Sequence, residues 1–430
     1  MSVKNKVKED ETVIRITSSS KGHMLHHNGV FSRDGKWLVF DGRNDETKIG
    51  ETATIGMVNV ETGKERALYQ TTNQTIYGPG VGAVSFSPVE DQVIFIHGLP
   101  DANEDCPYAM SRRTGMLVDI HQEGRAFSAD ARDVSTLYVP GSLRGGTHSH
   151  CWSPNGTMLS FTYNDELVEP DLRVVGVMLK PETDIIVDKR SGNSNGRYYS
   201  AIVSDVVANP VPGSDEINKA FDECWLSPAT DGTTDHYAIA FQGNTISAKG
   251  QLVTEIFVVE IDREKILADK AAVGKEGERP KVPKGIRQRR LTYGANLSDF
   301  RHWLRSSEDG QYIYALAKDE KGNNQVIRCA VNSGELSFVT DNPFSISSPF
   351  NLCKENKKIT FIAENNVFVY DMDSNECIQI THNGLNDPKV NGAPSFSPDG
   401  SFVVYNQYEH IEGEEHLQIK RAIITNNVMM

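Results

Sequence analysis

Most of the short motifs that mark the common hydrolases and nucleotide-binding enzymes are missing. The chain contains no HExxH, no GxxxxGK[ST] and no GxGxxG, which excludes the helical zinc-protease site, the P-loop and the Rossmann fingerprint. Its one GxSxG match, residues 192–196, lies in a run of Gly, Asn and Ser without the strand-then-helix pattern that a serine-hydrolase nucleophile elbow requires. Any chemistry must therefore come from side chains that the fold brings together from distant parts of the chain.

Cysteine pairs, excess positive charge and long apolar runs are also missing. The six cysteines include no CxxC pair, so we expect reduced thiols rather than a disulfide framework. The formal net charge of -14 argues against nucleic acid and an anionic membrane as bulk partners. No apolar run could span a bilayer, and residues 1–11 are charged without an apolar core. We expect a cytoplasmic protein, or a periplasmic one if a leader peptide was removed.

What the chain does contain is a repeated phrase: an aromatic or aliphatic residue, a turn of the Ser-Pro-Asp-Gly kind, then a β-rich run. Asp, Asn and Gly take the turn conformation at little steric cost, so each copy predicts a β-hairpin. Seven such hairpins predict a fold of stacked repeats. The clear copies are Phe31–Phe40, Trp152–Phe161 and Phe396–Tyr405, and looser copies begin at Phe86, Leu226, Ser306 and Leu352.

Further strand patterns follow the hairpins and bring each unit to four strands, the content of a propeller blade. Examples are Ala53–Val60, Glu255–Glu260, Gln325–Val331 and Asn366–Asp371. The N-terminal run Val13–Thr17 resembles a fourth strand for the last unit. The sequence therefore predicts an all-β fold, a single seven-bladed β-propeller domain over residues 1–430. We expect four antiparallel strands per blade, with the N-terminal strand completing the last blade and closing the ring.

Two stretches exceed the blade rhythm, about residues 165–221 and 262–290, and we expect both to be loop insertions. The first is a candidate lid over one face of the ring, since long ordered loops on rigid scaffolds often carry function. The second is rich in Lys and Arg and contains Pro280 and Pro283. It is either a solvated loop or an anion-binding arm.

The innermost strands of a propeller line its central channel, so equivalent repeat positions lie together at the channel mouth. Three histidines and an aspartate share one such position, which predicts a small-ligand or metal site there. Four residues before the residue that opens each repeat stand His27, Gly82, His148, Asp222, His302, Ser348 and Gly392. Two residues before it stand Gly29, Val84, His150, Cys224, Leu304, Phe350 and Pro394.

His148 and His150 form an HxH pair on an expected strand. A regular strand would place both imidazoles on one side, roughly 6.5 to 7 Å apart, within reach of one metal ion. Together with His27 and Asp222 they are the candidate metal ligands. Such donors suit divalent Mn, Zn or Fe and do not choose among them. The alternative is that these histidines only line the channel and are hydrogen-bonded to water or backbone carbonyls.

Four further residues are candidate catalytic groups. His302 and His97 are candidate proton acceptors, because imidazole titrates near neutral pH. Arg144 and Arg301 could orient a carboxylate through paired hydrogen bonds, or could instead bridge neighbouring blades.

Several segments resemble the YidR-like family of bacterial propeller proteins. This resemblance covers most of the chain and implies the propeller fold, without naming a biochemical role. The segments are Leu143–His150, Ser153–Gly156, Phe161–Asp165, Phe95–Gly98, Pro212–Asn218, Gln288–Thr292 and Arg301–Trp303.

Two broader similarities keep two functions open. The Ser-Pro-Asp-Gly hairpin is similar to that of the Tol-type (TolB-like) propellers, which implies a non-catalytic scaffold for a protein partner. The histidine-bearing channel resembles that of oligogalacturonate lyase, a seven-bladed propeller with a manganese site of histidines and a glutamine. That resemblance implies a metal-dependent lyase acting on a small anionic carbohydrate. The residues before the HxH pair are Arg144-Gly145-Gly146, where the lyase has a glutamine nearby.

Overall fold

A computed structural model describes residues 12–226, 237–293, 302–353, 357–384 and 386–424. Within these ranges, 29 β-strands form seven antiparallel blade sheets and one short two-stranded parallel pair. One α-helix, α1 (Arg263–Ala268), and the 3-10 turns Ile49–Glu51 and Lys270–Val273 complete the regular structure of these residues. The predicted seven-bladed, all-β propeller is confirmed.

The strands of the first half are numbered here in chain order. The first, β1, is Val13–Arg15. Blade 1 contains β2 (Trp37–Asp41), β3 (Thr54–Asn59) and β4 (Glu65–Gln70). Blade 2 contains β5 (Val81–Phe86), β6 (Gln92–Gly98), β7 (Arg113–Asp119) and β8 (Ala126–Ser128). The parallel pair β9 (Ala131–Arg132) and β10 (Ser142–Leu143) precedes blade 3, which contains β11 (Gly146–Trp152), β12 (Met158–Asn164), β13 (Arg173–Leu179) and β14 (Tyr199–Ile202).

The second half continues the same order with four more blades. Blade 4 contains β15 (Lys219–Leu226), β16 (Tyr237–Ile246), β17 (Leu252–Ile261) and β18 (Gln288–Arg290). Blade 5 contains β19 (Arg305–Ser306), β20 (Tyr312–Lys318), β21 (Asn324–Ala330) and β22 (Leu336–Phe338). Blade 6 contains β23 (Asn351–Cys353), β24 (Lys358–Ala363), β25 (Asn366–Asp371) and β26 (Glu376–Gln379). Blade 7 contains β27 (Val390–Phe396), β28 (Phe402–Ile411) and β29 (Glu414–Ile423).

The two ends of the chain meet in blade 7. Its sheet has the order β1-β29-β28-β27, so the N-terminal strand is the outermost strand of the last blade. Val13 pairs with Ala422 and Arg15 with Lys420 in antiparallel register. The predicted closure is confirmed, and it covers the edge that β29 would otherwise expose.

Blade 1 departs from the expected four continuous strands. Its sheet contains only β2, β3 and β4. The innermost segment pairs with β2 through two isolated bridges, Met24 with Asp41 and Phe31 with Leu38. The chain between these bridges therefore runs as an irregular inner edge, and it carries His26 and His27.

The repeated hairpin is held by a repeated set of hydrogen bonds. In the first copy, Ser32 Oγ donates to Asp34 Oδ1 over 2.7 Å and also accepts from the Trp37 amide. Gly35 takes a φ of 70°, a conformation that glycine adopts without steric cost. The same serine-to-Asp or serine-to-Asn bond recurs in later blades, at Ser153–Asn155, Ser307–Asp309 and Ser397–Asp399. The local sequence of the phrase thus specifies its turn.

The hydrophobic core lies between adjacent blades rather than in one central mass. Five clusters of buried side chains follow one another around the ring, and each contains residues from neighbouring blades. Aromatic side chains of the second strands are almost fully buried in it: Phe95, Phe161, Phe241, Phe361 and Tyr405. All six cysteines are free thiols, as predicted. No helix in the described ranges is long and apolar enough to cross a membrane.

The two predicted loop insertions contain regular structure. Residues 165–221 include β13 and β14, the outer strands of blade 3, and the start of β15, and two long connections, residues 180–198 and 203–218, separate these strands. Residues 262–290 begin with α1, whose N-cap Asp262 accepts a hydrogen bond from the Lys265 amide, and end in β18. Between them the chain packs back against blade 3 through contacts with Arg144.

Candidate functional site

At one end of the central channel, each blade places side chains from the start of its first strand, the end of its second strand and the start of its third strand. In an antiparallel meander the first strand begins where the second ends and the third begins. In blade 3 these positions hold His148 near the start of β11, Asn164 at the end of β12 and Arg173 at the start of β13. We refer to this end of the channel as the mouth.

A β-bulge interrupts the inner strand of blade 3 at the mouth. The register shifts between His148 and Cys151, so that Ser149 and His150 face the single residue Phe161 on β12. Ser149 takes a φ of 57°, in the left-handed region. A bulge of this kind inserts one residue and breaks the regular alternation of side chains. Similar register shifts in β5, β15 and β27 include Ala83, Asp222 and Gly392, each with positive φ.

The bulge sets the two imidazoles of the HxH pair on opposite faces of the sheet. His148 lies directly opposite Thr162 and hydrogen-bonds to its hydroxyl. Thr147 precedes His148 and therefore points to the other face. His150 Nε2 lies 3.0 Å from Thr147 Oγ1, which places its ring on the Thr147 side. The expectation of two rings side by side is wrong, because it assumed an uninterrupted strand.

His148 is buried on the face of β11 that it shares with Thr162. Its Nε2 lies 3.2 Å from Asn164 Oδ1, an oxygen that can only accept, so Nε2 carries the proton and Nδ1 accepts from Thr162. Burial holds the pKa of His148 well below its usual value, and the charges of Arg113 and Arg173 lower it further. His148 is therefore a neutral imidazole near two guanidinium groups.

His150 is equally buried but packs towards blade 2. Thr147 Oγ1 donates to Asp130 over 3.1 Å, so it accepts from His150 Nε2. His150 Nδ1 has no hydrogen-bond partner among the described residues. Its ring lies against Gly115 of β7, where an added Cβ would be 2.8 Å from Nε2. Burial lowers the pKa of His150 to about 3, and Arg113 contributes to the same shift.

Arg113, at the start of β7, is a buried cation with few partners. Only 5% of its surface is exposed. Nε donates to the Ala109 carbonyl over 3.3 Å, Nη2 contacts Met110 Sδ, and the group lies 4.9 Å from the centre of the Tyr108 ring. None of these contacts is with a carboxylate. Burial lowers the pKa of Arg113, and the charges of Arg173 and Arg43 lower it further.

Two arginines near Arg113, Arg43 and Arg173, differ in whether a carboxylate pairs with them. Arg43 is buried against Asp41, with Nε 2.7 Å from Oδ1 and Nη2 2.8 Å from Oδ2. Arg173 is partly exposed at the mouth, and its Nε donates to Asn164 Oδ1 over 3.3 Å. No carboxylate of the described residues lies within ion-pair distance of Arg173. Its pKa is lowered by burial, while Asp222 and Glu223 oppose that change from farther away.

The bulge in β15 presents two acidic residues in succession. Asp222 has a φ of 53° and is partly buried, whereas Glu223 has only 1% of its surface exposed. Burial raises the pKa of Asp222 to about 6 and that of Glu223 to about 8. Glu223 Oε1 accepts from Ser160 Oγ over 3.2 Å, and Oε2 has no hydrogen-bond partner in the described structure.

His27 lies in a separate group that crosses the axis. Its imidazole stacks on the Trp303 indole, with ring centres 3.7 Å apart and planes 8° from parallel. Nδ1 is 3.4 Å from Arg305 Nη2, and Nε2 is 3.9 Å from Cys151 Sγ. The backbone carbonyl of His27 also accepts from Arg305 and from Asn351.

These contacts join blades that are not neighbours. His27 belongs to blade 1, Cys151 to blade 3, Arg305 to blade 5 and Asn351 to blade 6. Asn351 Oδ1 accepts from Arg305 Nε over 2.9 Å, which ties blade 5 to blade 6 as well. Side chains of such distant blades can meet only near the axis. We refer to this group as the floor of the mouth.

The candidate catalytic residues lie in different places. His97 sits between blades 1 and 2, where Nε2 is 3.0 Å from Tyr69 Oη and Nδ1 contacts the Gly98 carbonyl. Burial lowers its pKa. His302 is partly exposed, and its carbonyl accepts from Gln242 Nε2. Arg301 lies outside the described residues.

Arg144 is enclosed by its own chain. None of its surface is exposed. Nη1 donates to the Val273 carbonyl over 2.9 Å and Nη2 to the Glu278 carbonyl over 2.7 Å. Nε lies 3.3 Å from Asp165 Oδ2, and the guanidinium carbon lies 4.0 Å from the centre of the Tyr138 ring. These contacts bind the 262–290 segment to blade 3.

The predicted metal ligands do not form one ligand set. His148 and His150 face opposite sides, and His27 belongs to the floor. Across the ranges that the structure describes, no three His, Cys, Asp or Glu side chains are arranged to hold a metal ion. The residues present therefore do not fit a metal centre of the expected kind.

Sequence patterns missed three residues of the mouth: Arg113, Arg173 and Glu223. Arg113 and Arg173 begin the third strands of their blades, outside the repeated phrase. Glu223 lies one position after the predicted Asp222, and regular alternation would have turned it away from the channel. Gly29 and Gly392 have positive φ near the bulge positions of blades 1 and 7. Glycines at these repeat positions were the sequence signal that could have indicated a bulge there, and a bulge in blade 4 would have turned Glu223 towards the site.

Sequence comparison identifies relatives of this chain. Residues 80–194 match a family described as "Protein of unknown function (DUF3748)". A protein from Escherichia coli (strain K12), "Uncharacterized protein YidR", is 33% identical over 414 residues. The matched region is 92% of this chain and 95% of that protein.

Structure comparison finds propellers with low sequence identity. An oligogalacturonate lyase in complex with manganese superimposes with a TM-score of 0.58 at 12% identity, covering 99% of this chain and 97% of the lyase. The lyase from Vibrio parahaemolyticus gives 0.54 at 12% identity, covering 98% and 96%. TolB from Acinetobacter baumannii gives 0.40 at 13% identity, covering 90% and 80%. At such identities these similarities concern the fold alone.

Proposed function

This chain belongs to the YidR family, and we propose that its channel mouth binds a small carboxylated ligand of the acidic-sugar class. The observation that carries the proposal is the pair of guanidinium groups, Arg113 and Arg173, that have no carboxylate partner among the described residues. A buried cation without a counter-charge costs several kcal/mol, so a bound anion would stabilise this arrangement.

The surrounding arginines make this absence informative. The chain has 58 acidic and 44 basic residues, so carboxylates are abundant. Arg43 pairs with Asp41, and Arg290 lies 3.2 Å from Glu255. Arg43 and Arg290 thus have carboxylate partners, and Arg305 of the floor donates to an amide oxygen and to backbone carbonyls, whereas Arg113 and Arg173 have no carboxylate and few other acceptors among the described residues. An anion from solution is the natural partner for such a site.

The acidic-sugar class is supported by the chemistry of the mouth and by one structural neighbour. A uronic acid offers a carboxylate for the arginines and hydroxyl groups for polar side chains such as Ser149. Oligogalacturonate lyase, a propeller of similar fold, acts on such sugars by its name. Arg173 would meet the sugar carboxylate first, and Arg113 would add positive charge from behind it.

The test is calorimetric titration of the purified protein with digalacturonate, and with neutral digalactose as the ligand control. Arg173→Met should weaken digalacturonate binding at least tenfold, because losing a charge-assisted hydrogen bond costs about 1.5–3 kcal/mol. Arg113→Met should weaken it by a smaller factor.

Arg112→Met is the matched control. Arg112 is adjacent to Arg113, but its guanidinium pairs with Asp101 at 2.7 Å and with Glu166 at 2.6 Å. This variant should bind digalacturonate like the parent protein. Equal binding of both sugars, or no effect of Arg173→Met, would count against the proposal.

A divalent metal is a second component to measure, since the lyase neighbour contains manganese. The described residues do not assemble a ligand set for such an ion. Plasma mass spectrometry of the purified protein would detect stoichiometric Mn, Zn or Fe. If neither an anion nor a metal binds, the competing function is a scaffold for a protein partner.

A further inference from the structure

The acidic pair in β15 occupies the same mouth as the unpaired arginines. Asp222 is partly exposed there, and Glu223 lies behind it with 1% of its surface exposed. The charge of Arg173 acts on both carboxyl groups. An acidic cluster alone is not a site, but here one buried member has an unused oxygen and a cation stands beside the pair.

The surroundings of Glu223 favour the protonated form of its carboxyl group. Ser160 Oγ donates to Oε1, whereas Oε2 has no hydrogen-bond partner in the described part of the chain. An ionised carboxylate with an unsatisfied oxygen is costly in a buried site, so the neutral acid is favoured. The pKa of Glu223, raised to about 8 by burial and by Asp222, agrees with this geometry.

Asp222 is the more accessible acid of the two. Its side chain is partly exposed, and the positive charges of Arg173, Lys219 and Arg305 oppose the effect of burial on its pKa, which is about 6. Exposure and the charge of Arg173 favour the ionised form of Asp222, and enclosure with an unsatisfied oxygen favours the neutral form of Glu223. Neighbouring carboxyl groups with separated pKa values are the usual arrangement for a base and an acid.

We infer that Asp222 takes a proton from the carbon next to the carboxylate of the bound ligand, with Glu223 as its acid partner. This inference rests on the proposed function, because Arg173 must hold that carboxylate. In the step, the C–H bond breaks, an O–H bond forms on Asp222, and the electron pair moves into the ligand carboxylate as an enolate. Arg173 and Arg113 stabilise the added negative charge.

This step needs no oxidant, reductant or second substrate. The proton can return to the same carbon, from Asp222 or from Glu223. If the next carbon bears a leaving oxygen, that C–O bond breaks and a C=C bond forms, with the proton passing to the leaving oxygen. Elimination and epimerisation of uronic acids share the first step, so the reaction class is proton transfer next to a carboxylate.

The experiment is proton NMR of digalacturonate incubated with the protein in deuterated buffer. Proton abstraction exchanges the hydrogen next to the carboxylate for deuterium, and its signal decays. Asp222→Asn should slow the decay at least about a hundredfold, the usual range for general-base catalysis. Glu223→Gln should also slow it, by a smaller factor. Digalacturonate binding to both variants, measured by calorimetry, should change less than threefold.

Asp171→Asn is the matched control, an exposed aspartate two residues before Arg173. It should bind and exchange like the parent. Binding without any exchange in the parent protein overturns this inference and leaves the proposed function intact. Absence of binding overturns both. Exchange that Asp222→Asn leaves unchanged, or that EDTA abolishes, assigns the step to another group and overturns the inference.

A second measurement examines Glu223 without any ligand. A protonated carboxyl group has an infrared C=O band that the ionised form lacks. At pH 7 the parent protein should show one buried carboxyl band that Glu223→Gln removes and Asp171→Asn does not. If Glu223→Gln leaves the spectrum unchanged, Glu223 is ionised at pH 7 and cannot be the acid partner.

Discussion

Arg144 and Arg113 are two buried arginines near the same mouth, in adjacent blades, and the structure treats them in opposite ways. Arg144 has two carbonyl acceptors, from Val273 and Glu278, and lies 3.3 Å from the carboxylate of Asp165. Both terminal nitrogens of its guanidinium thus have hydrogen-bond acceptors, and Nε makes no hydrogen bond but lies within ion-pair distance of a carboxylate. Its role is to hold the 262–290 segment against blade 3.

Arg113 is buried to nearly the same extent but is not satisfied by the chain. It has the Ala109 carbonyl, the Met110 sulfur and the face of Tyr108. The two arginines differ in what surrounds the charge: Arg144 has a carboxylate and two carbonyl groups, whereas Arg113 has no carboxylate partner among the described residues, and we propose that a bound ligand supplies one. The sequence motif around the HxH pair includes Arg144, whereas the unpaired charge is Arg113.

The largest expected effect is on stability, from Arg144→Met. Removing one partner of a buried ion pair leaves the other uncompensated, so Asp165 would be a buried carboxylate without its cation. We expect the free energy of unfolding to fall by about 3–5 kcal/mol, measured by urea denaturation. A loss below about 1 kcal/mol would show that Arg144 is not the anchor of this segment.

The next largest loss of stability is expected from Gly115→Ala, whose new methyl group would meet the His150 ring. The new Cβ would lie 2.8 Å from His150 Nε2 and 3.2 Å from two ring carbons. Overpacking of this kind costs about 1–3 kcal/mol. Gly384→Ala is the control, because the nearest atom to its Cβ would be 3.5 Å away. Equal stability of both variants would indicate that the His150 ring is free to move.

The pH dependence of stability should reveal the acidic pair. The folded pKa of Glu223 is raised from 4.5 to about 8, so its contribution is fully present below pH 4.5 and is lost as the pH rises through 8. Glu223→Gln should therefore flatten the decline in unfolding free energy between pH 5 and 8. His148 and His150 have lowered pKa values and act in the opposite sense, with stability lost as the pH falls below 6.5.

The smallest expected effect on stability is that of Arg113→Met. Replacing a buried, unpaired charge by an apolar side chain of similar length is neutral or stabilising, so the change should be within about 1 kcal/mol. The same urea titration, without ligand, measures it beside Arg144→Met. If both variants lose several kcal/mol, the contrast between the two arginines does not hold.

The fold could be predicted because its signals are local. The Ser32–Asp34 turn and its copies are specified by three or four consecutive residues, and the glycine after the Asp or Asn supplies the positive φ. Closure of the ring was also predictable, since Val13–Arg15 had a strand pattern with no partner nearby. Hairpin turns and strand patterns together define a propeller blade.

The site was only partly predictable, because it depends on contacts between blades. Nothing in the local sequence shows that Ser149 adopts a left-handed conformation, and that one residue separates His148 from His150. Arg113 has no motif of its own, and its importance arises from what surrounds it in three dimensions. Asp222 was chosen because it was expected to be level with His148, but the bulges place it level with Ser149, and its neighbour Glu223 was not predicted.

The floor lies across the axis of the channel. His27, Arg305 and Asn351 tie blades 1, 5 and 6 together there, so these groups occupy the channel at that level. If the mouth binds the proposed acidic sugar, a long polysaccharide would not thread past them. Chain ends or short fragments would then be the ligands that bring a carboxylate to Arg173, and the distance from the mouth to the floor would limit the length of ligand that the protein accepts.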